Sequence, residues 1–143
     1  MGLLSDFIAA TPEHAFQYET FVPYGDRVLP DHFWRAHYKN FTPLALEMLW
    51  AILRNDRPDA GPRKLEAVSH ADGKTWLFRF PDELARLIAG LDETTADQIA
   101  RAWERCGEVK SSSDELRPIL LDLNHLAKQA QRSGCSLYLW VSL

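Results

Sequence analysis

The sequence has little cysteine, no run of basic residues, no long apolar stretch and no catalytic signature, and each shortage removes a class of protein. Cys106 and Cys135 are the only two cysteines and stand far apart, so a disulfide scaffold is excluded and a reduced, cytoplasmic chain is expected. Lys and Arg never cluster, the net charge is −4 and the pI is about 5.7, which argues against a nucleic-acid partner. No apolar run approaches the roughly 18 residues of a membrane span. The opening MGLLSD has neither the basic nor the apolar region of a secretion signal, and Asp6 stands where myristoylation needs Ser or Thr. No G-x-S-x-G elbow, H-E-x-x-H or C-x-x-C occurs, so no cofactor and no metal are expected.

What is present is core material. Of 143 residues, 46% are hydrophobic, and five Trp, four Tyr and seven Phe supply large buried area, enough for a single globular domain over 1–143. Residues 7–10 read as a short strand, and Thr11-Pro12-Glu13 as a helix start leading to about Tyr18. Residues 21–30, with Pro23, Gly25, Asp26 and Pro30, read as a loop, and 33–39 as a strand. Thr42-Pro43 starts a second helix over 44–53, apolar nearly all round and so buried on several sides. Residues 55–62 are a loop.

Asp72-Gly73 between two apolar runs predicts a two-residue hairpin. That register sets His70 opposite Thr75, Val68 opposite Leu77 and Glu66 opposite Arg79. It makes Leu65, Ala67, Trp76, Phe78 and Phe80 the core face and leaves a cross-strand ion pair on the other. A helix follows Pro81 with Leu84, Leu87, Ile88 and Leu91 in register, ended by Gly90 and Asp92. Thr95 with Gln98 reads as the capping box of the next helix, whose stripe is Ile99, Ala102, Trp103 and Cys106. The last helix lies between Asp114 and Gly134, its regular part beginning later because Pro118 suits only a first turn. Residues 137–141, LYLWV, are apolar on both faces and predict a central strand buried from both sides. The fold class is α+β: a small mixed or antiparallel sheet holding the 65–80 hairpin and the terminal strand, covered by about five helices.

The candidate chemistry is sparse. Gly73-Lys74-Thr75 resembles the end of a phosphate loop, but Val68 stands where the pattern needs glycine and a strand follows rather than a helix. His32 and His37 are five apart, on opposite faces of a strand or about 140° apart on a helix, so they do not share an ion. His14 falls in a first helical turn, and both cysteines read as small buried residues. If the 33–39 strand lies beside the hairpin, Asp31, His32, His37, Tyr38, His70 and Trp76 make a small-molecule or enzyme site. If Pro118, Leu121 and His125, on the outward side of the last helix, join neighbouring aromatics, they make a partner surface.

Three stretches carry a resemblance: residues 1–13 (MGLLSDFIAATPE), 41–53 (FTPLALEMLWAIL) and 126–143 (LAKQAQRSGCSLYLWVSL). Together they resemble a group of short bacterial proteins of about this length, and are loosely similar to families of the DUF1877 type. The hairpin and FPDEL at 80–84 fit the same group, so the likeness covers most of the chain. It implies a bacterial single-domain protein and supplies no catalytic residues. The expected function is a non-catalytic, cytoplasmic protein-binding module, regulatory or toxin-neutralising, partnered by another protein or by itself and not by membrane. The alternative is a small-molecule-binding protein or enzyme with a site near His37, Tyr38 and His70.

Overall fold

The computed structural model describes residues 4–21, 34–55, 64–71, 75–109 and 111–142. In chain order the elements are β1 (Leu4–Ala10), α1 (Pro12–Phe21), β2 (Trp34–Lys39), α2 (Pro43–Arg54), β3 (Glu66–Ala71), β4 (Thr75–Arg79), α3 (Asp82–Ala89), α4 (Glu93–Arg105), α5 (Ser113–Ser133) and β5 (Ser136–Ser142). The α+β class stands: five antiparallel strands in the order β2-β1-β5-β4-β3, with helices on both faces. Of the expected loops at 21–30 and 55–62, Phe21 instead ends α1 and Asn55 caps α2, while residues 22–30 and 56–62 lie outside the described residues.

Local chemistry accounts for most boundaries. Thr42 caps α2 by accepting the Ala45 N–H at 3.2 Å, and Pro43 occupies the first turn, where its missing N–H costs nothing. Ser112 and Glu115 form a reciprocal capping box at the head of α5. Gly134 stops α5 at φ 65, a left-handed geometry that glycine adopts without strain. Asn55 ends α2 in the same region at φ 56.

The centre of the sheet is the last strand, as its composition predicts. β5 lies between β1 and β4, and Leu137 through Val141 are at most 4% exposed. Both faces are covered because two cores sandwich the sheet. On one side Leu137, Leu139 and Val141 join Phe7, Phe80 and the buried faces of α2, α3, α4 and α5. On the other, Tyr138 and Trp140 pack with Ile8, Ala10, Leu77 and Ala15 of α1. Burial of that kind is worth about 1.5–3 kcal/mol per large side chain.

Polar ties hold the helical layer in place. Trp103, fully buried on α4, donates its indole N–H to the Ala45 carbonyl at 2.9 Å. Trp50 and Arg54 of α2 both reach Glu83 of α3, each at 2.9 Å. Asn124, buried in α5, donates its amide to the carbonyls of Ile88, Ala89 and Leu91 at 2.8, 3.1 and 3.0 Å. The Ile88 carbonyl also accepts the Leu91 N–H at 3.1 Å, so Asn124 adds to that bond and reaches the Ala89 and Leu91 carbonyls beyond it, where helical partners run out.

Several expectations need correction. The hairpin register is shifted by one near the turn: Ala71 opposes Thr75, His70 opposes Trp76 and Ser69 opposes Leu77. An irregularity between Ala67 and Ser69 then restores Glu66 opposite Arg79, as an extra residue in one strand does. The face expected to be solvated is not: Thr75 and Leu77 are buried, Leu77 beneath α1. Ala67 is exposed, since β3 is an edge strand, and Arg79 bonds Asp82 at 3.2 Å. The cap of α4 is Asp92, whose carboxylate accepts the Thr95 N–H at 2.7 Å, so Thr95 lies inside the first turn. Pro118 does not delay α5, which begins at Ser113; the proline and Asp114, four residues earlier, both lie on an exposed side of the helix. α1 runs to Phe21, beyond Tyr18. In α2 burial concentrates on Ala45, Leu46, Leu49 and Trp50, while Leu44 is 42% exposed.

Asn124→Ala is expected to cost about 2–3 kcal/mol, the penalty of leaving buried carbonyls unpaired, read as a lowered urea midpoint at unchanged slope. Removing residues 138–143 is expected to abolish cooperative melting altogether, because β5 is the strand that both cores share. A truncated chain that still melts in one sharp transition overturns that account.

Candidate functional site at the β2–α5 cleft

β2 is an edge strand, and its alternation sends Ala36 and Tyr38 toward the helical layer. Tyr38 packs on Phe7 and Phe41, with ring centroids 5.9 and 6.0 Å away, and Phe41 continues the cluster to Trp103 at 5.5 Å. The turn after β2 is pinned from β1. The buried Ser5 hydroxyl accepts the Phe41 N–H at 2.9 Å and donates to the Phe41 carbonyl at 2.8 Å. Asn40 takes φ 65 to make that turn.

Beside this junction lies a cleft of about 340 Å³, bordered by residues 38–41 on one side and by Val109, Ser111, Glu115 and Ile119 on the other. Phe41, Val109 and Ile119, all buried, lie at its floor. Above the floor, the Tyr38 hydroxyl donates a hydrogen bond to Asp122 of α5. Burial first, then that bond and the charge of Asp122, push the phenol pKa well up. The ring is therefore held as a neutral hydrogen-bond donor, not as an acid–base group. Glu115 faces the same cleft, its Oε1 accepting the Ser112 N–H at 3.4 Å and hydroxyl at 3.1 Å.

The candidates from sequence are distributed unevenly about this place. Tyr38 lines the cleft. Leu121 and His125 lie on α5 next to Asp122, His125 exposed and Leu121 half-buried. His37 is on β2 in register with Asp6 of β1. His70 is on β3 in register with Trp76 of β4, which is half-buried. Asp31 and His32 lie outside the described residues. The condition that β2 lie beside the hairpin is not met. β1 and β5 stand between β2 and β4, so Tyr38 and Trp76 are three strand spacings apart, roughly 14 Å. The expected constellation is not assembled, because β1 and β5 fill the centre of the sheet.

Sequence reading missed Asp122, Glu115 and Phe41. The spacing of Glu115, Ile119 and Asp122, four and then three apart, is a signal that they share one helix edge. Among the described residues, no group of three or more His, Cys, Asp or Glu could hold a metal ion, and no helix is long and apolar enough to cross a membrane. Cys106 and Cys135 are half-buried against the core, and burial pushes the Cys135 thiol up, away from the reactive thiolate.

No family model matches the chain, and no curated protein does. Among solved structures the chain is similar to a protein of unknown function, YfbM, from Escherichia coli. The identity is 12%, the TM-score 0.43, and the match covers 98% of this chain and 99% of that one.

The Tyr38–Asp122 contact has a pH signature. The folded state favours the neutral phenol, so its pKa lies above the unfolded value of about 10. Its stabilisation is complete below about pH 10 and is lost as pH rises from there through the folded pKa. Tyr138, raised chiefly by burial, acts in the same direction. Tyr38→Phe is expected to leave a shallower loss of urea stability above pH 10 than the parent shows. The absorbance difference between the two proteins should reveal a tyrosine that ionises late. Identical alkaline curves refute the contact.

Proposed function

We propose that this protein is a non-catalytic protein-binding module of the bacterial cytoplasm, making a regulatory contact of which toxin neutralisation is one instance. Its contact surface is the outer edge of α5 beside the β2–α5 cleft. The observation that supports this reading is the bond from Tyr38 to Asp122, which holds an aromatic ring of β2 against that edge. Pro118 lies four residues before Asp122 and His125 three after, so both neighbour it on the helix surface. Both are exposed, and Leu121 between them is half-buried. A tyrosine with an apolar body and a fixed polar tip suits an interface better than a solvated surface. A phenol kept protonated suits recognition rather than proton transfer. The net charge of −4 favours a basic partner.

The test is capture from native bacterial lysate with the tagged chain at several salt concentrations, followed by purification of what is retained and measurement of its affinity. His125→Glu, at an exposed position, and Leu121→Asp are each expected to weaken binding about tenfold or more, the size of an interface hot spot. Only background proteins at every salt concentration, with a monomer by light scattering, sinks the reading. A retained protein whose affinity ignores both substitutions moves the surface elsewhere.

A further inference from the structure

The sheet has two margins, and they differ in what they offer an incoming chain. β3 carries an irregularity between Ala67 and Ser69, and an extra residue of that kind bends an edge out of regular pairing. β2 keeps an unbroken register along all six residues, from Trp34 opposite Ala9 to Lys39 opposite Leu4. Among the described residues no strand lies beyond it. In an antiparallel ladder alternate residues turn both backbone groups away from their partner, so the outer side of β2 presents N–H and C=O groups that a further strand can pair. The Tyr38 bond to Asp122 and the grip of Ser5 on Phe41 hold that row in place, so little ordering entropy opposes the pairing.

The residues of the strand narrow the occupant. Trp34-Arg35-Ala36-His37-Tyr38-Lys39 alternates basic positions with apolar and aromatic ones, and alternate positions share a face. On the basic face β1 supplies one carboxylate, Asp6 opposite His37, while Ile8 and Leu4 stand opposite Arg35 and Lys39. Two positive positions, four residues apart, thus meet no acid in register on β1. A second copy of β2 centred on His37 sets Arg35 against Lys39, and like charges directly opposite oppose pairing, whereas opposite charges favour it. The net charge of −4 acts over distance and is screened beyond about 10 Å, but a paired strand about 4.8 Å away meets the local charge. We propose, on the protein-binding reading above, that β2 is extended by a strand of the partner that carries Asp or Glu opposite Arg35 and Lys39 and apolar residues opposite Ala36 and Tyr38. Main-chain bonds supply affinity in such a pairing, and the spacing of the acids supplies selectivity.

The probe is an end-blocked peptide of sequence TEVTVET, with counterparts in which both Glu are Gln or Lys and one N-methylated at alternate residues, titrated to millimolar concentration while the amide NMR spectrum is followed. The expected result is saturable shifts along residues 34–39 and slowed amide exchange at alternate positions of β2. The Gln peptide is expected to bind about tenfold more weakly, the loss of two cross-strand charge pairs, and the Lys peptide more weakly still. N-methylation on the paired side is expected to abolish binding, because it removes the main-chain donors. Lys39 is exposed, so Lys39→Glu leaves the fold intact and is expected to bring the affinities for the Glu and Lys peptides together. No shifts on β2, equal binding of the acidic, neutral and basic peptides, or undiminished binding of the N-methylated one overturns the inference. A partner captured from lysate that binds Lys39→Glu undiminished yet is lost on Leu121→Asp and His125→Glu also overturns it, and leaves the α5 contact surface standing. If the acidic peptide binds in register and the lysate yields no partner, the protein-binding reading falls and the pairing edge stands.

Discussion

The pairing of β1 with β5 is the constraint on which the rest depends. Seven residues of the first described strand oppose seven of the last, from Leu4 with Ser142 to Ala10 with Ser136. Everything else attaches to that pair: β2 adds to the free side of β1, and the β3–β4 hairpin to the free side of β5. The pair also separates the two cores, with Phe7 and Leu139 on one side and Ile8 and Tyr138 on the other. A contact so distant along the chain forms only after the intervening loop is closed, which costs entropy before any pairing rewards it. The helices that flank β5 carry the compensation, since α5 packs on β1 and β5 as well as on α3 and α4.

Much of this was legible from local pattern. The doubly apolar LYLWV announced a central strand, and Thr42-Pro43 and Gly134 announced helix ends, because each signal is a backbone requirement met by one or two residues. One failure was local: Asp92, three residues before Thr95, is itself a cap former and takes the position. The others share a cause: the competing arrangement was non-local. Leu77 appeared to belong to a solvated face because nothing in the hairpin shows that α1, far upstream, covers it. The candidate site failed in the same way. Tyr38, His70 and Trp76 were grouped on the premise that β2 adjoins the hairpin, and no residue of either segment states that β1 and β5 intervene.

The part of the site that was legible is the outward edge of α5, because helix periodicity places Pro118, Leu121 and His125 without reference to any other element. What turns that edge into a candidate site was not legible. Tyr38 meets Asp122 across more than half the chain, and the meeting depends on Ser5 holding the turn at Phe41 in place. A buried hydroxyl that both donates and accepts at one backbone residue leaves that residue little freedom. The aromatic ring three positions before it inherits that rigidity.

That rigidity supports placing the proposed recognition surface at this margin of the molecule. The other margin, β3, has its ladder to β4 and, among the described residues, a side-chain bond at its approach, from the Leu65 N–H to Glu47 at 2.9 Å. The β2 margin is fixed three times over: by its ladder to β1, by Ser5 beneath the turn, and by Asp122 from α5. Binding loses free energy to every group that must be ordered on contact, so a surface ordered beforehand binds more tightly for the same area. Under the proposed function, the contacts that stabilise this edge of the fold are also the ones that prepare it to meet a partner, and loosening either the Ser5 or the Asp122 tie would weaken recognition before it unfolded the chain.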